Sequence, residues 1–268
     1  MYTALYRKWR PQRFEDICGQ EHITVTLKNE LESSRISHAY LFCGTRGTGK
    51  TTTAKLLAKA VNCKALHEFN PCNECESCIS INEGNSIDVY EIDAASNRGI
   101  DDIRNLREAI RFTPTLGKYK VYIIDEVHML TNEAFNALLK TLEEPPPHSV
   151  FFLLADNTGA LLPTILSRCQ IFRVGSLSRE DVAEILDRRL HCSREEAMTY
   201  AALSQGVPGK ALALAEDQRF RNSREKLTAG MSMAGSPRIL ELYGVFRDSR
   251  ENVDDLLDIL ILWFRDLL

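Results

Sequence analysis

The sequence lacks the long apolar runs of membrane-spanning proteins, because none of its segments reaches about eighteen consecutive apolar residues. Its N-terminus has no apolar core of signal-peptide length. It also lacks an excess of positive charge, since the formal net charge is −4, so whole-chain charge gives no support for nucleic-acid binding. The composition, 44% hydrophobic and 26% charged, is that of a globular protein. We therefore expect a cytoplasmic protein with no membrane span.

Cysteine is the residue type that stands out. Disulfides are rare in the cytoplasm, so the eight cysteines indicate metal binding or free thiols. Four of them are closely spaced, and thiolates at this spacing can converge on one tetrahedral Zn²⁺. An iron–sulfur cluster, a redox pair and four buried free thiols are the alternatives. The four residues are Cys63, Cys72, Cys75 and Cys78.

A complete phosphate-binding pattern, G-x-x-x-x-G-K-[ST], occupies residues 44–51. Its glycines let the backbone curl so that N–H groups point at phosphate oxygens. Lys50 is expected to reach the β- and γ-phosphates, and the Thr51 hydroxyl to ligate Mg²⁺. A buried strand over 39–43 and a helix over 51–61 would place the phosphates on a helix N-terminus. The alternative is a glycine-rich turn that binds nothing.

Acidic and polar side chains follow two apolar runs. The first run ends in Asp125 and Glu126, at the end of a strand where open α/β sheets bind their ligands. We expect Asp125 to hold Mg²⁺ and Glu126 to polarise an attacking water. The second run ends at Asp156 and Asn157, which could contact that water or the γ-phosphate.

Two basic segments each allow two interpretations. The N-terminal run before Pro11 predicts an extended arm, which is either a solvated segment or a lid on the adenine end of a nucleotide. A helix predicted over 100–110 carries arginines, and Arg98 precedes it. These arginines either contact a phosphate backbone or pair with neighbouring acidic residues. The helical ones are Arg104, Arg107 and Arg111.

The remaining pattern predicts an α/β domain followed by helices. Serine caps and a proline predict three short helices over about 179–216. The polar, glycine-containing residues 217–236 predict a linker. The amphipathic residues 253–268 predict a truncated third domain, or a helix that packs on partner subunits. The predicted strands are 39–43, 87–92, 120–126, 150–155 and 171–174, and the predicted long helices are 21–36, 51–61 and one capped by Thr131.

Seven segments of the chain, with the four cysteines, together resemble the gamma/tau subunit family of bacterial DNA polymerase III. The resemblance covers about the first 175 residues and is highly specific. The segments are Arg7–Pro11, Gly19–Gln20, His38–Phe42, the phosphate loop, Ile92–Ser96, Lys118–Leu130 and Phe135–Pro145.

The resemblance implies the AAA+ motor of a sliding-clamp loader. It implies an AAA+ nucleotide domain over 1–176 with a zinc module at 63–78, an all-helical lid over 177–217, and the start of a helical collar over 218–268. It implies ATP, Mg²⁺ and Zn²⁺ as cofactors. The implied partners are the delta and delta-prime subunits, further gamma/tau copies, the sliding clamp and primer–template DNA.

The resemblance also implies roles for individual residues. Lys50, Asp125 and Glu126 are expected to act in hydrolysis, and Arg168 is expected to complete the ATP site of an adjacent subunit. Thr51 and Asp125 would hold magnesium, and the four cysteines zinc. The expected nucleotide contacts are Gly44, Thr45, Arg46, Gly47, Thr48, Gly49, Lys50, Thr51, Thr52, Asp125, Asn157, Lys210, Arg7 and Pro11.

The chain departs from the family's pattern at two places. The family usually has a threonine pair where this chain has Asp156 and Asn157. Its sensor-arginine motif is replaced by residues 206–212, where Lys210 offers a point charge instead of a guanidinium. The second departure resembles the delta-prime subunit, so a non-hydrolysing scaffold is the alternative function. An AAA+ protein of recombination or replication restart is a third, against which the zinc module argues.

Overall fold

The computed structural model describes residues 10–96, 110, 112–232 and the positions 246, 253, 256, 257 and 259–261. Its contacts divide the chain into two compact units, Met1–Ser176 and Leu177–Leu268. The predictions made for Arg7, for Arg98 and the arginine-rich helix that follows it, and for residues 262–268 lie outside the described residues. No helix within the described ranges is long and apolar enough to cross a bilayer.

The first unit contains a five-stranded parallel sheet of order β2-β3-β4-β1-β5. All strand ends of one polarity therefore lie at one edge, which places the loop after β1 beside the ends of β3 and β4. All five predicted strands are present, although β2 begins two residues later than expected. They are β1 Ala39–Cys43, β2 Val89–Asp93, β3 Lys120–Asp125, β4 Ser149–Ala155 and β5 Gln170–Arg173.

Helices cover both faces of this sheet, so its central strands are mostly apolar and almost entirely buried. On β1, Tyr40 and Phe42 pack in one core cluster with Leu57, whereas Leu41 packs in the opposite cluster with Leu138. This alternation follows from the two-residue period of a strand. The α-helices in the described residues of this unit are α1 Glu21–Glu32, α2 Lys50–Asn62, α3 Glu76–Glu83, α4 Asn132–Glu143 and α5 Pro163–Leu166.

Local signals in the sequence set most of the helix ends. The Thr131 side chain accepts a hydrogen bond from Ala134 N, as predicted for the start of α4. Helix α4 ends at Glu143, just before the prolines that were expected to stop it. Helix α1 is shorter than predicted because the backbone leaves the helix at Ser33 and Ser34, where Ser34 has a φ of 55°.

A buried carboxylate organises the turn that leads into β3. Asp88 is 2% exposed, and its two oxygens accept hydrogen bonds from the backbone N–H groups of Thr115, Leu116 and Gly117 at 2.7–2.8 Å. Three charge-assisted bonds offset the desolvation of this carboxylate. The turn is thereby fixed beside the first residues of β3.

The second unit is helical, and its described helices share one core. Ser178 and Ser193 cap the first two helices by accepting from Asp181 N and Glu196 N, as predicted. The third helix begins at Pro208, also as predicted. Up to residue 232 the described helices are α6 Arg179–Leu190, α7 Arg194–Leu203, α8 Pro208–Glu216 and α9 Gln218–Ser232.

The linker predicted over 217–236 is wrong for its described part, because α9 occupies residues 218–232. Asp217 accepts from Arg219 N at 2.8 Å and from Phe220 N at 3.2 Å, which caps this helix. Phe220 and Leu227 are fully buried among the residues of the other helices. These two apolar residues lie seven positions apart, on one side of a helix whose composition is polar.

Candidate nucleotide site and cysteine centre

The phosphate loop connects β1 to α2, as the sequence predicts. Gly44 N continues the sheet by donating to Ala155 O at 3.1 Å, and a Cβ at Gly44 would collide with the Val174 carbonyl oxygen. Gly49 has a φ of 104° and is the N-cap of α2, a conformation that side chains disfavour. Since glycine has no side chain to cap the helix, the first N–H groups of α2 are open to an anion.

Lys50 is the buried cation of this loop. It is 8% exposed, and its Nζ donates to the carbonyl oxygens of Gly44 and Thr45 and to Asp156 Oδ1, the last at 2.9 Å. A buried ammonium needs such partners to offset its lost hydration. The lysine is thus held at the loop by groups that a phosphate oxygen could replace.

Thr51 and Asp125 come together as predicted for a magnesium site. The Thr51 hydroxyl donates to Asp125 Oδ2 at 3.1 Å, and Asp125 Oδ1 accepts from Glu126 N at 2.9 Å. A hydroxyl and a carboxylate at the start of a phosphate-binding helix are oxygen ligands of the kind that Mg²⁺ takes. The two side chains fit the ion that a nucleotide would bring.

Glu126 has a left-handed backbone, with a φ of 51°. This conformation is disfavoured for a side chain of this size, and such residues cluster at functional sites. Its Oε2 lies 3.3 Å from His128 Nε2. Ligand atoms of Glu126, His128 and Asp156 all lie within 4.8 Å of one another. The predicted water-polarising carboxylate is therefore at the same strand edge as the loop lysine.

The two residues after β4 have different environments. Asp156 forms the ion pair with Lys50. Asn157 is exposed, and its Oδ1 accepts from Ala160 N at 3.2 Å. The residue named from the sequence as the nucleotide contact was Asn157, but Asp156 is the neighbour of Lys50. The sequence places both at the strand end, and only the side-chain geometry separates them.

The other predicted nucleotide residues have varied positions. Thr45, Arg46 and Gly47 are exposed on the loop, Thr48 is buried, and Thr52 is half-buried in the first turn of α2. Pro11 lines a cleft with Lys55 and Glu91.

Arg168 and Lys210 lie elsewhere in the fold. Arg168 follows α5, where its guanidinium donates to Glu143 Oε1 at 2.9 Å and to Thr164 O at 2.8 Å. Lys210 lies in the first turn of α8, in the second unit. Their expected contacts with nucleotide remain predictions.

The four predicted cysteines converge at the end of α2. Their sulfur atoms lie within 4.8 Å of one another. Cys72 N donates to Cys63 Sγ at 3.2 Å, and Cys75 N donates to Cys72 Sγ at 3.3 Å. His67 lies outside the cluster, in an exposed tight turn closed by reciprocal backbone bonds with Asn70.

The electrostatics of this cysteine centre differ from one thiol to the next. Burial raises the pKa of the Cys63 and Cys78 thiols. Burial acts in the same direction on Cys75, but the backbone N–H groups of Lys64 and Cys78, together with hydrogen bonds to the Cys78 and Cys72 thiols, outweigh it and lower the Cys75 pKa to about 6. N–H groups aimed at sulfur stabilise thiolates, and four thiolates at this spacing are the donor set of a closed structural zinc site.

The sequence did not reveal the polar network beside this centre. Lys59 is 2% exposed, and its Nζ donates to Gln12 Oε1 at 2.6 Å and to Asn73 Oδ1 at 2.7 Å. Its burial, chiefly, lowers the Lys59 pKa to about 8. One sequence signal could have pointed to this network. An asparagine lies inside the Cys-Asn-Glu-Cys turn, where a left-handed residue is common.

Comparisons with known proteins agree with this geometry. A family model described as "DNA polymerase III, delta subunit" matches residues 19–178. DNA polymerase III subunit tau of Bacillus subtilis is 60% identical over 171 residues, which are 64% of this chain and 30% of that protein. Subunit gamma of Buchnera aphidicola is 42% identical over 227 residues, or 85% of this chain and 59% of that protein. The chain thus spans less than two thirds of either relative.

The fold of this chain is similar to that of a solved structure. The Thermotoga maritima RuvB Holliday junction branch migration motor has a TM-score of 0.56 and 19% identity, and the match covers 92% of this chain and 74% of that one. Together with the parallel sheet and the phosphate loop, this likeness shows the fold of AAA+ P-loop NTPases. The chain belongs to the family of DNA polymerase III subunits whose model matches it and whose tau and gamma members are its curated relatives.

Proposed function

We propose that this chain is an ATP-binding and ATP-hydrolysing subunit of a clamp loader. The observation that supports this most is the meeting of Lys50, Thr51, Asp125 and Glu126 at one edge of the sheet. Each has the chemistry and position that phosphoryl transfer to water requires.

In the proposed mechanism, the first N–H groups of α2 and the Lys50 ammonium bind the β- and γ-phosphates. Thr51 and Asp125 would hold Mg²⁺, and the ion would supply positive charge that neutralises and orients the phosphates. Glu126 accepts a hydrogen bond from the attacking water and aligns it with the γ-phosphorus. Its left-handed backbone at the end of β3 holds the carboxylate at the strand edge.

In this proposal, Arg168 of one subunit supplies a positive charge to the ATP site of its neighbour, so an isolated chain lacks that charge at its own site. An arginine from a neighbouring subunit stabilises the transition state of many nucleotide hydrolases. The Glu143 partner would hold the Arg168 guanidinium outward until a neighbouring site engages it. Partner subunits of delta, delta-prime and gamma/tau type, the sliding clamp and primer–template DNA follow as proposed partners. ATP binding would order this assembly, and hydrolysis would release the closed clamp on DNA.

We also propose the domain division that the resemblance implies. Residues 1–176 would bind nucleotide, residues 177–217 would form its lid, and residues 218–268 would begin a helical collar. Lys210, in the lid, would offer a positive charge to the γ-phosphate.

A delta-prime-like scaffold that does not hydrolyse ATP is the second candidate. The Lys50–Asp156 ion pair favours it, because a carboxylate beside the loop lysine competes with the γ-phosphate. The intact Thr51, Asp125 and Glu126 argue for the motor.

The test is ATP binding and hydrolysis by the chain alone and in a mixture with candidate loader subunits and primed DNA. For a motor, the chain alone binds ATP and turns over poorly, the mixture raises turnover, and Arg168→Ala abolishes the gain. Glu126→Gln should bind ATP and fail to hydrolyse it. Turnover that never rises above that of Glu126→Gln in any mixture would favour the scaffold.

A further inference from the structure

The described part of the N-terminal arm, residues 10–16, is bonded to the cysteine centre at several points. Asn70, two residues before Cys72, is 5% exposed, and its Oδ1 accepts from Phe14 N at 2.8 Å. Its Nδ2 donates to Glu15 Oε1 at 3.2 Å. Phe14 itself is 1% exposed and packs in the core cluster that contains Leu57. One buried amide thus holds the arm at its apolar anchor.

Asn73 forms the second connection, from inside the turn between two cysteines. Its Nδ2 donates to Gln12 O at 3.2 Å, and its Oδ1 accepts from Lys59 Nζ at 2.7 Å. Its backbone is left-handed, with a φ of 61°, so the conformation of this turn sets the direction of the side chain. Cys72 and Cys75 flank it by one and two residues, and a metal bound to them would fix the turn.

Lys59 completes the connection to the helix that begins at the phosphate loop. Its ammonium bridges Gln12 Oε1 and Asn73 Oδ1, and it lies in the same helix, α2, as Lys50 and Thr51. That helix ends at Asn62, immediately before the first cysteine. The arm, the cysteine turn and the phosphate-loop helix therefore meet through Gln12, Asn73 and Lys59, of which Lys59 is buried and the other two are half-buried.

We propose that the cysteine centre, through Asn70, Asn73 and Lys59, fixes the arm beside α2, where Pro11 is one of the expected nucleotide contacts. The inference rests on the proposed function, because Pro11 is expected to contact a nucleotide only if the chain binds ATP. These three side chains are positioning residues, since none of them contacts the phosphate loop in the bonds described. Metal binding and nucleotide affinity are then linked without any metal contact to ATP.

The chain provides a direct readout of the arm. Trypsin cleaves after Arg13, whose side chain is exposed, but the next residue, Phe14, is buried and bonded to Asn70. A protease needs an extended, released segment, so the Arg13–Phe14 bond is protected while the arm is anchored. The fragment that begins at Phe14 reports release. The Arg10–Pro11 bond does not interfere, because trypsin does not cut before proline.

The variant to make is Asn73→Gly, which keeps the left-handed backbone and removes the amide. Glu74→Ala is its matched control, as its side chain is exposed in the same turn. Gln12→Ala removes the side-chain oxygen that accepts from Lys59 Nζ, keeps the backbone oxygen that accepts from Asn73, and leaves all four cysteines untouched. Zinc content per chain, the rate of Phe14-fragment release and the ATP Kd are measured for each protein and for zinc-stripped wild type.

We expect Asn73→Gly and Gln12→Ala to retain zinc, to release the fragment roughly tenfold faster and to bind ATP several-fold more weakly, since each loses hydrogen bonds of modest net strength. Zinc-stripped wild type should behave like them, and Glu74→Ala like zinc-loaded wild type. An arm that stays protected in zinc-replete Gln12→Ala and in zinc-stripped wild type overturns the proposal. So does a released arm with unchanged ATP affinity. Absence of ATP binding by zinc-loaded wild type would instead refute the proposed function, and the proteolysis result would still report the anchoring.

Discussion

The Lys50–Asp156 ion pair leads to the sharpest prediction about nucleotide binding. The two groups lie 2.9 Å apart, with side chains 9% and 43% exposed. A γ-phosphate that accepts from the same ammonium would lie within about 5 Å of the carboxylate. Asp156→Asn keeps the size of the side chain and an oxygen for Lys50, but removes the charge that faces the phosphate.

The magnitude follows from Coulomb's law. Two unit charges about 5 Å apart repel by about 3 kcal/mol at an effective dielectric constant near 20. Because Asp156 is more than one third exposed, water screens part of this, and about 1–2 kcal/mol remains. Asp156→Asn should therefore bind Mg·ATP roughly 5- to 30-fold more tightly than wild type. ADP should gain less, since it lacks the γ-phosphate.

The assay is isothermal titration of ATP and ADP at low and high salt, where the gain should shrink as salt rises. Asn157→Ala is the control. The Asn157 amide oxygen accepts from Ala160 N, whereas Lys50 donates to Asp156 and not to Asn157. Unchanged or weaker ATP binding by Asp156→Asn, with a large loss in Asn157→Ala, would refute this reasoning and restore Asn157 as the contact with phosphate.

Three further predictions concern stability. Asp88→Asn should lower the free energy of unfolding by about 2–4 kcal/mol, measured by urea titration, because one oxygen of a buried carboxylate that accepts three N–H bonds becomes a donor. The Lys59 pKa is about 8 in the folded protein and 10.5 as its reference, so the unfolded chain binds more protons between these pH values. The free energy of unfolding of wild type should therefore rise by roughly 1–2 kcal/mol relative to that of Lys59→Met from pH 7 to 9.5. A difference between the two proteins that narrows or stays constant over this range would contradict the reasoning. Phe220→Ala should cost about 3–5 kcal/mol in the second unit, seen as a lower Tm, and leave ATP affinity of the first unit unchanged; a wild-type Tm would mean that α9 does not pack as described.

Much of the first unit could be predicted because its signals are local. The strand over 39–43 is apolar at every position, and the loop after it has residue types that only one chemistry requires. The cysteines were equally clear, since their spacing alone brings them together. Asp125 and Glu126 followed from the rule that ligands bind at strand ends.

Other features depend on contacts that no local pattern encodes. Whether Asp156 or Asn157 faces Lys50 is decided by the turn after β4, where adjacent residues point in different directions. In the sequence Lys59 looks like an ordinary charged helix position, and its bonds to Gln12 and Asn73 come from parts of the chain 47 and 14 residues away. The helix over 218–232 was missed because its packing uses two apolar residues in a polar segment.

The left-handed backbone of Glu126 has a consequence for how this chain can change. In this conformation, a residue with a side chain has a conformational free energy about 1 kcal/mol higher than glycine has. Glu126→Gly should therefore raise the free energy of unfolding while removing the carboxylate proposed to align water. A screen of variants for thermal stability alone would tend to select against the group that the proposed reaction needs, so stability and turnover have to be measured on the same samples.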